Sequence, residues 1–263
     1  MSHRITAAAS GGPALRYPPA TGSRPQDDLV PAPPARGPLP QARHVLAVIA
    51  RPGQESAELG ALLHAFRRAG ARLALLSVTR GEASPVNSTW ERLETRRPWE
   101  LQVAAAVLGI CSLSVADYPD GGLSRLPLAE LTELVQREIR RHAPDLLLVV
   151  DPVAARPGGA MPAGGHPDDA MLVSHDSDGA VVARAVRSAA GQAGLPVVAR
   201  TRPGTLGARR VDLGRDPAAA RAVQRSAVAA YRSQAQTLPE VERRLDLLDG
   251  RETLRWLVPV PRS

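Results

Sequence analysis

The sequence predicts one doubly wound α/β domain with a mostly parallel sheet, preceded by a disordered tail. Short apolar runs alternate with longer helical patterns along residues 43–236, and this alternation is typical of parallel strands joined by helices. Residues 1–42 are instead dominated by proline, glycine and alanine. Such a segment buries too little apolar surface to offset its ordering entropy. We therefore place the domain at residues 43–263 and expect residues 1–42 to be dispensable for folding.

The order of the elements can be read from apolar runs and from the glycines and prolines between them. Gly70 and Gly109 end two helical patterns, and Pro98 interrupts the second of these. Residues 237–263 are expected to be helical or irregular. The predicted strands are Val45–Ile49, Arg72–Val78, Ile110–Ala116, Leu146–Val150, Val197–Thr201 and Val211–Leu213, and the predicted helices are Glu55–Ala69, Trp90–Leu108, Leu128–His142, Gly179–Ala193 and Pro217–Gln236.

Composition bounds the class of function. The net charge is +7 and the chain contains no lysine, so all 33 basic residues are arginines. These arginines are scattered rather than clustered beside aromatic residues, and no nucleic-acid-binding motif is present, so we expect no nucleic-acid partner. The single cysteine excludes an intrachain disulfide. No apolar run approaches the ~20 residues of a transmembrane helix and no signal peptide is evident, so we expect a cytoplasmic protein without a membrane partner.

The stretch 152–178 is the densest source of acid, base and metal-ligating side chains. It is longer than the ~12–15 residues of an ordinary connection, and such loops inside a domain are usually functional or disordered. Its chemical groups are His166, Asp168, Asp169, His175, Asp176 and Asp178.

Five short segments carry a signal when they are taken in order. They read SVTRGE at Ser77–Glu82, RPWEL at Arg97–Leu101 followed by AAAVLG, YPDG at Tyr118–Gly121, SHDSD at Ser174–Asp178 and YRSQ at Tyr231–Gln234. Together they resemble the PIG-L/LmbE family, the zinc-dependent N-deacetylases of N-acetylglucosamine conjugates. The resemblance implies a Rossmann-like, LmbE-like fold and a hydrolase acting on linear amide C–N bonds.

The departures from the family pattern concern its metal site. The family's first loop reads H-P-D-D-E, in which the histidine and the second aspartate bind zinc and the first aspartate is the general base. Here Arg51, Gly53 and Gln54 occupy those three positions, and Asp178 replaces the histidine that is the third ligand. An arginine cannot lose its proton to bind a cation. We therefore expect no cofactor and a non-hydrolytic pseudoenzyme or a sugar-binding or small-molecule-binding relative, with an Arg51–Asp178 ion pair in place of zinc.

The alternative is an active N-deacetylase. Its metal site would be relocated to His166, Asp168, His175 and Asp178, with zinc as cofactor, or its chemistry would be metal-free. His175 matches the family histidine that stabilises the tetrahedral intermediate, which makes it the catalytic candidate; it is otherwise a polar residue in solvent.

Two further positions match the family's substrate cleft. Arg97 would clamp an anionic or hydroxyl-rich ligand and Asp120 would accept a hydrogen bond from a sugar hydroxyl. The competing interpretations are a surface ion pair of Arg97 with Glu94 or Glu100, and a turn stabilised by the Asp120 side chain. The expected ligand is a small molecule such as an N-acetyl-sugar conjugate, and the sequence predicts no particular protein partner.

Overall fold

One twisted sheet organises the protein. The computed structural model describes residues 36–83, 92–152, 177–248 and 250–259. In this part of the chain the strands are β1 (Arg36–Gly37), β2 (His44–Ile49), β3 (Arg72–Thr79), β4 (Ser112–Tyr118), β5 (Leu146–Val150), β6 (Val197–Arg200), β7 (Arg209–Asp212) and β8 (Arg251–Val258), and the helices are α1 (Gln54–Ala57), α2 (Gly60–Arg68), α3 (Leu93–Leu108), α4 (Leu128–His142), α5 (Ser177–Ala193), α6 (Pro217–Ala229) and α7 (Leu238–Leu248), with short 3-10 helices at Leu123–Arg125 and Arg232–Thr237.

The strand order is β1-β7-β8-β6-β5-β2-β3-β4. Every pairing is parallel except those of β8, which runs antiparallel to both β6 and β7. From the β2–β5 pair, the chain winds outward to β3 and β4 on one side and to β6 on the other. Because ligands of open α/β sheets bind outside the carboxyl ends of the strands where the winding reverses, the site is expected beyond the ends of β2 and β5.

The strands are apolar on both faces, and each face is covered by its own helices. Along β2, Val45, Ala47 and Ile49 pack into one cluster, to which α2, α3 and α6 contribute. Leu46 and Val48 pack into the other, with α4 and α5. Continuous apolar runs are the signature of such two-sided burial. The predicted doubly wound α/β fold is confirmed.

The carboxyl-terminal part of the chain differs from the prediction. Residues 237–263 were expected to be helical or irregular, but they contain α7 and the eight-residue strand β8. Two of the buried β8 residues are Glu252 and Thr253, so the strand lacks the apolar run that revealed the others. Its charges are neutralised by partners that are distant in sequence, as described below.

Part of the predicted tail belongs to the sheet. Arg36–Gly37 pair with β7, in register with Arg210 and Val211, and Leu39 and Ala42 pack against the core. The boundary at residue 43 is therefore too late by at least seven residues, because a two-residue edge strand leaves no periodic pattern in the sequence. Residues 1–35 lie outside the described part.

Three helices also differ from their predicted form. The pattern Pro217–Gln236 gives α6, which ends at Ala229, and a 3-10 helix at Arg232–Thr237. The pattern Glu55–Ala69 is broken into α1 and α2 around Glu58, and α3 continues through Pro98. Pro98 lies in the second turn of α3, where its ring removes one backbone hydrogen bond without ending the helix.

No helix within the described ranges is long and apolar enough to cross a membrane.

Candidate functional site

The loop after β2 is held by bonds to its own backbone. Gly53 caps α1 with a φ of 101°, a left-handed conformation that glycine adopts without strain. The side-chain oxygen of Gln54 accepts a 2.9 Å hydrogen bond from the Ala50 amide at the end of β2. The loop is thus folded back on the strand, and the acceptor atom of Gln54 is already engaged.

A buried carboxyl lies beneath this loop. Glu55 is fully buried and accepts hydrogen bonds from the Gly53 amide at 2.8 Å, the Ser56 hydroxyl at 2.5 Å and the Tyr231 hydroxyl at 2.7 Å. Burial raises the pKa of Glu55 despite the opposing effect of these donors. Burial, reinforced by the neighbouring Glu55 charge, raises the pKa of Tyr231 well above its ordinary value. These bonds join the start of α1 to the end of α6.

Arg97 connects two loops at the site. Only 4% of the residue is exposed, and its two terminal nitrogens donate 2.6 Å hydrogen bonds to the carbonyl oxygens of Pro52 and Gly81. Pro52 follows β2 and Gly81 follows β3, so the guanidinium ties together the loops of adjacent strands. Burial lowers the pKa of Arg97, although the group stays protonated in proteins.

The observed contacts of Arg97 differ from both interpretations of the sequence. The surface ion pair is wrong for Arg97: the residue is buried, and it is Arg96 that pairs with Glu100, at 3.3 Å. The ligand clamp stays a prediction, but both observed hydrogen bonds of the guanidinium are internal.

Asp120 lies at the centre of a second set of contacts. Its carboxylate accepts hydrogen bonds from the Thr79 hydroxyl at 3.3 Å and the Ala83 amide at 3.2 Å, and it lies 3.3 Å from Nε of Arg51. The Asp120 amide in turn donates to Oε1 of Glu82 at 2.8 Å. The turn after β4 is therefore fixed to the loop after β3 through both side chain and backbone.

Asp178 binds the same turn from the start of α5. Its two oxygens accept hydrogen bonds from the amides of Gly121 at 2.7 Å and Leu123 at 3.1 Å, and the residue is fully buried. Burial raises the pKa of Asp178, while the two amides and the charge of Arg51 oppose the rise. The sequence predicts an Arg51–Asp178 ion pair, but the observed contacts differ. Arg51 pairs with Asp120, and Asp178 accepts hydrogen bonds from the amides of Gly121 and Leu123, which follow Asp120 in the chain.

The structure brings together six of the residues that the sequence singled out. They are Arg51, Gly53, Gln54, Arg97, Asp120 and Asp178, and all lie at loops or helix starts beyond the carboxyl ends of the strands. His166, Asp168 and His175 lie outside the described residues. In the part of the chain that the structure describes, no group of three or more His, Cys, Asp or Glu side chains is placed to hold a metal ion.

A network of buried charges borders the site and was not predicted from the sequence. Arg200, at the end of β6, pairs with Glu58 at 2.5 Å and with Glu252 of β8 at 3.2 Å. Arg221 of α6 pairs with Glu252 at 2.7 Å, and Arg244 of α7 also pairs with Glu58. The network joins four elements and the junction between α1 and α2, and it explains how a strand with a glutamate on its buried face enters the sheet.

A second ion pair closes the end of β5. The Arg255 guanidinium donates two hydrogen bonds to the carboxylate of Asp151, at 2.6 and 2.7 Å. Asp151 follows β5 directly and is fully buried, so this paired geometry fixes β8 against the strand end where the winding reverses.

Known proteins resemble this chain in sequence. Residues 46–175 match the family model described as PIG-L: GlcNAc-PI de-N-acetylase. The probable N-acetyl-alpha-D-glucosaminyl L-malate deacetylase 2 of Bacillus anthracis is 30% identical over 149 residues, which are 55% of this chain and 59% of that relative. The chain thus matches less than two thirds of the length of this curated relative.

Solved structures share the fold at low sequence identity. N,N'-diacetylchitobiose deacetylase from Pyrococcus horikoshii has a TM-score of 0.60 at 17% identity, over 84% of this chain and 86% of that chain. GalB, the 4-carboxy-2-hydroxymuconate hydratase of Pseudomonas putida KT2440, has a TM-score of 0.58 at 15% identity, over 84% of this chain and 98% of that chain. A deacetylase and a hydratase share this architecture, so the fold alone does not identify a reaction. The chain therefore contains a PIG-L family domain, matched at residues 46–175.

Proposed function

We propose that this chain is a PIG-L family protein that lacks the family's zinc centre. We propose that it binds an N-acetylated sugar conjugate or a similar small molecule without hydrolysing it. The observation that carries the proposal concerns the four positions at which the family holds its metal ligands and general base. In this chain three of these side chains make contacts within the protein, and the fourth position is a glycine. Arg51 pairs with Asp120, Gly53 has no side chain, Gln54 binds the Ala50 amide, and Asp178 binds two amides.

The donor set at these positions does not fit a catalytic zinc. Such a site needs three protein ligands with free lone pairs and an open position for water. Arg51 brings a permanent positive charge, which repels a cation. The carboxylate of Asp178 is the one strong ligand type among the four, and both of its oxygens accept hydrogen bonds from backbone amides.

The general base of the family reaction has no counterpart at its own position. Gly53 occupies that place with a φ of 101°, a backbone conformation that residues with a side chain rarely adopt. The adjacent carboxyl of Glu55 is fully buried and accepts hydrogen bonds from three donors. We therefore assign Glu55 to holding the loop and assign no proton transfer to it.

The class of ligand is supported by the relatives. The Bacillus anthracis protein and the Pyrococcus horikoshii protein are both named for substrates with N-acetylated sugars. In this chain both oxygens of Asp120 already accept hydrogen bonds. Oε2 of Glu82, by contrast, is buried and has no hydrogen-bond partner within the described ranges. We propose that Glu82, more than Asp120, offers an acceptor to a ligand hydroxyl, because an unpaired buried acceptor is costly.

The second candidate is an active N-deacetylase with relocated ligands. It rests on the sequence His166-Pro-Asp168-Asp169, which resembles the family's lost motif but lies inside the long loop, together with His175 as catalytic residue. These residues lie outside the described part, so the sequence alone favours this candidate.

The test combines hydrolysis with binding. The full chain is incubated with N-acetylglucosamine conjugates, with and without added zinc; acetate release and ligand-observed NMR are followed. We expect binding without acetate release, and weaker binding in Glu82→Gln. Arg51→His serves as a control that restores one family ligand and is expected to restore no hydrolysis. Zinc-dependent acetate release by the natural chain would favour the second candidate, and absence of binding would refute the proposed ligand class.

A further inference from the structure

Helix α3 carries an apolar stripe on its outer side. Trp99 is 59% exposed, Val103 37% and Val107 40%. The three residues are spaced four apart, which places them on one ridge of the helix, about 12 Å long at 1.5 Å per residue. We call these three side chains the α3 stripe. Scattered exposed apolar residues are normal, whereas an aligned set that includes tryptophan marks a surface that contacts something apolar.

The surroundings of the α3 stripe are neutral along the helix and positive at its carboxyl-terminal end. Gln102 and Ala106, the exposed neighbours within the same turns, are uncharged. Arg96 lies at the amino-terminal end of the stripe, about one third exposed and paired with the buried Glu100. At the other end the guanidinium of Arg67 lies against Gly109, so closely that a Cβ there would be 1.4 Å from it.

A further arginine lies beside the middle of the helix. Ser233, which follows the exposed Arg232, donates two hydrogen bonds to Glu100, and this brings Arg232 next to α3. The one exposed acidic residue of α3 is Glu94 in its first turn. An apolar line with positive charges around it is the chemistry of a surface that meets anionic lipid headgroups.

We propose that the α3 stripe docks the protein peripherally on an anionic lipid bilayer, with Trp99 as the anchor in the interface. Tryptophan is favoured at the boundary between headgroups and acyl chains, the valines enter beside it, and the arginines bind lipid phosphates. The net charge of +7 attracts the whole molecule to such a surface. This contact requires no membrane-spanning segment. The sequence predicts no membrane partner because it lacks a long apolar run, and a peripheral contact needs no such run.

A second copy of the chain fits this surface less well. In a symmetric pair the same positive rim would face itself, and like charges would meet. A stable protein interface also needs about 800 Å² from each partner, whereas three partly exposed side chains along ~12 Å of helix supply a fraction of that area. A bilayer is flat and deformable, and so accepts a short ridge without a complementary pocket.

The experiment is flotation of the full chain with lipid vesicles. One set contains phosphatidylcholine alone and the other includes about one third phosphatidylglycerol, an anionic lipid. We expect binding to the anionic vesicles only, weakened by salt. Trp99→Ala should lower the bound fraction by about fivefold or more, and Val103→Asp should do the same. Leu247→Ala is the matched control, because Leu247 is an 82% exposed apolar residue on a different helix, and it should bind as the natural chain does.

Several results would overturn the proposal. They are no binding to anionic vesicles, equal binding to both lipid mixtures, or equal losses in Trp99→Ala and Leu247→Ala. Light scattering provides a separate check on the alternative occupant. A dimer that Trp99→Ala converts to a monomer, without vesicle binding by either, would assign the α3 stripe to an interface between copies.

Discussion

Replacement of Arg97 by methionine tests whether this residue ties the site loops together or contacts a ligand. Methionine has a similar length and is apolar, so it fills much of the space of the arginine side chain while removing the donors to Pro52 and Gly81. The two carbonyl oxygens would then lose their partners in a buried position. We expect Arg97→Met to fold and to be clearly destabilised.

The magnitude follows from the two contacts. A hydrogen bond to a charged group contributes roughly 1.5–3 kcal/mol, and Arg97 makes two, each of 2.6 Å. Removal of the buried charge relieves the desolvation that lowers its pKa, which offsets part of the loss. We therefore expect a decrease in the free energy of unfolding of about 2–4 kcal/mol. Most domains have a stability of about 5–15 kcal/mol, so the variant should remain folded.

Urea unfolding followed by circular dichroism measures this difference. Arg225→Met is the matched control, because its ion pair with Asp246 is exposed on both sides, and a loss within about 1 kcal/mol is expected. If Arg97→Met unfolds within about 0.5 kcal/mol of the natural chain, the reasoning from these contacts is refuted, since surface substitutions have effects of that size. If it keeps its stability and loses ligand binding, the ligand clamp expected from the sequence is correct.

Three further predictions concern the frame around the site. A chain that starts at Pro33 should melt as the full chain does, whereas one that starts at Arg43 should lose about 1–3 kcal/mol because the edge strand and its apolar contacts are removed; paired thermal melts would show this, and equal melts would contradict it. Glu252→Ala should cost about 3–5 kcal/mol because two buried arginines lose a partner, whereas Glu240→Ala on the surface of α7 should cost under about 1 kcal/mol; equal losses in urea would contradict the network. Burial acts to raise the pKa of Glu58, but its arginine partners outweigh this and lower it below 4.5. Its contribution to stability is therefore present above pH 4.5 and lost as the pH falls through the lowered folded value; urea melts across this range should show less acid sensitivity in Glu58→Gln, and an unchanged profile would contradict the assignment.

The strands near the centre of the sheet could be predicted to within one or two residues. Strands β2, β3 and β5 are buried on both faces, so their apolar runs are continuous and local sequence reports them. Strand β8 could not be found this way, because Glu252 is buried only through its ion pairs with Arg200 and Arg221. Those partners lie 52 and 31 residues away, and no local pattern contains them.

The positions of the site could be predicted, but not the bonds that they make. The family motifs indicated Arg51, Arg97, Asp120 and Asp178, and the structure places all four near one edge of the sheet. The choice of Asp120 as the partner of Arg51 depends on the turn after β4, whose amides occupy the carboxylate of Asp178. Arg96 and Arg97 are adjacent and chemically alike, and only the packing of α3 decides which one is buried.

The zinc content of the full chain tests the central claim most directly. The protein is saturated with zinc, dialysed without chelator, and its metal is counted by mass spectrometry alongside acetate release from an N-acetylglucosamine conjugate. Our account predicts far less than one zinc per chain and no acetate release. One tightly held zinc per chain with zinc-dependent acetate release, both lost in His175→Ala, would contradict it and establish a relocated catalytic site.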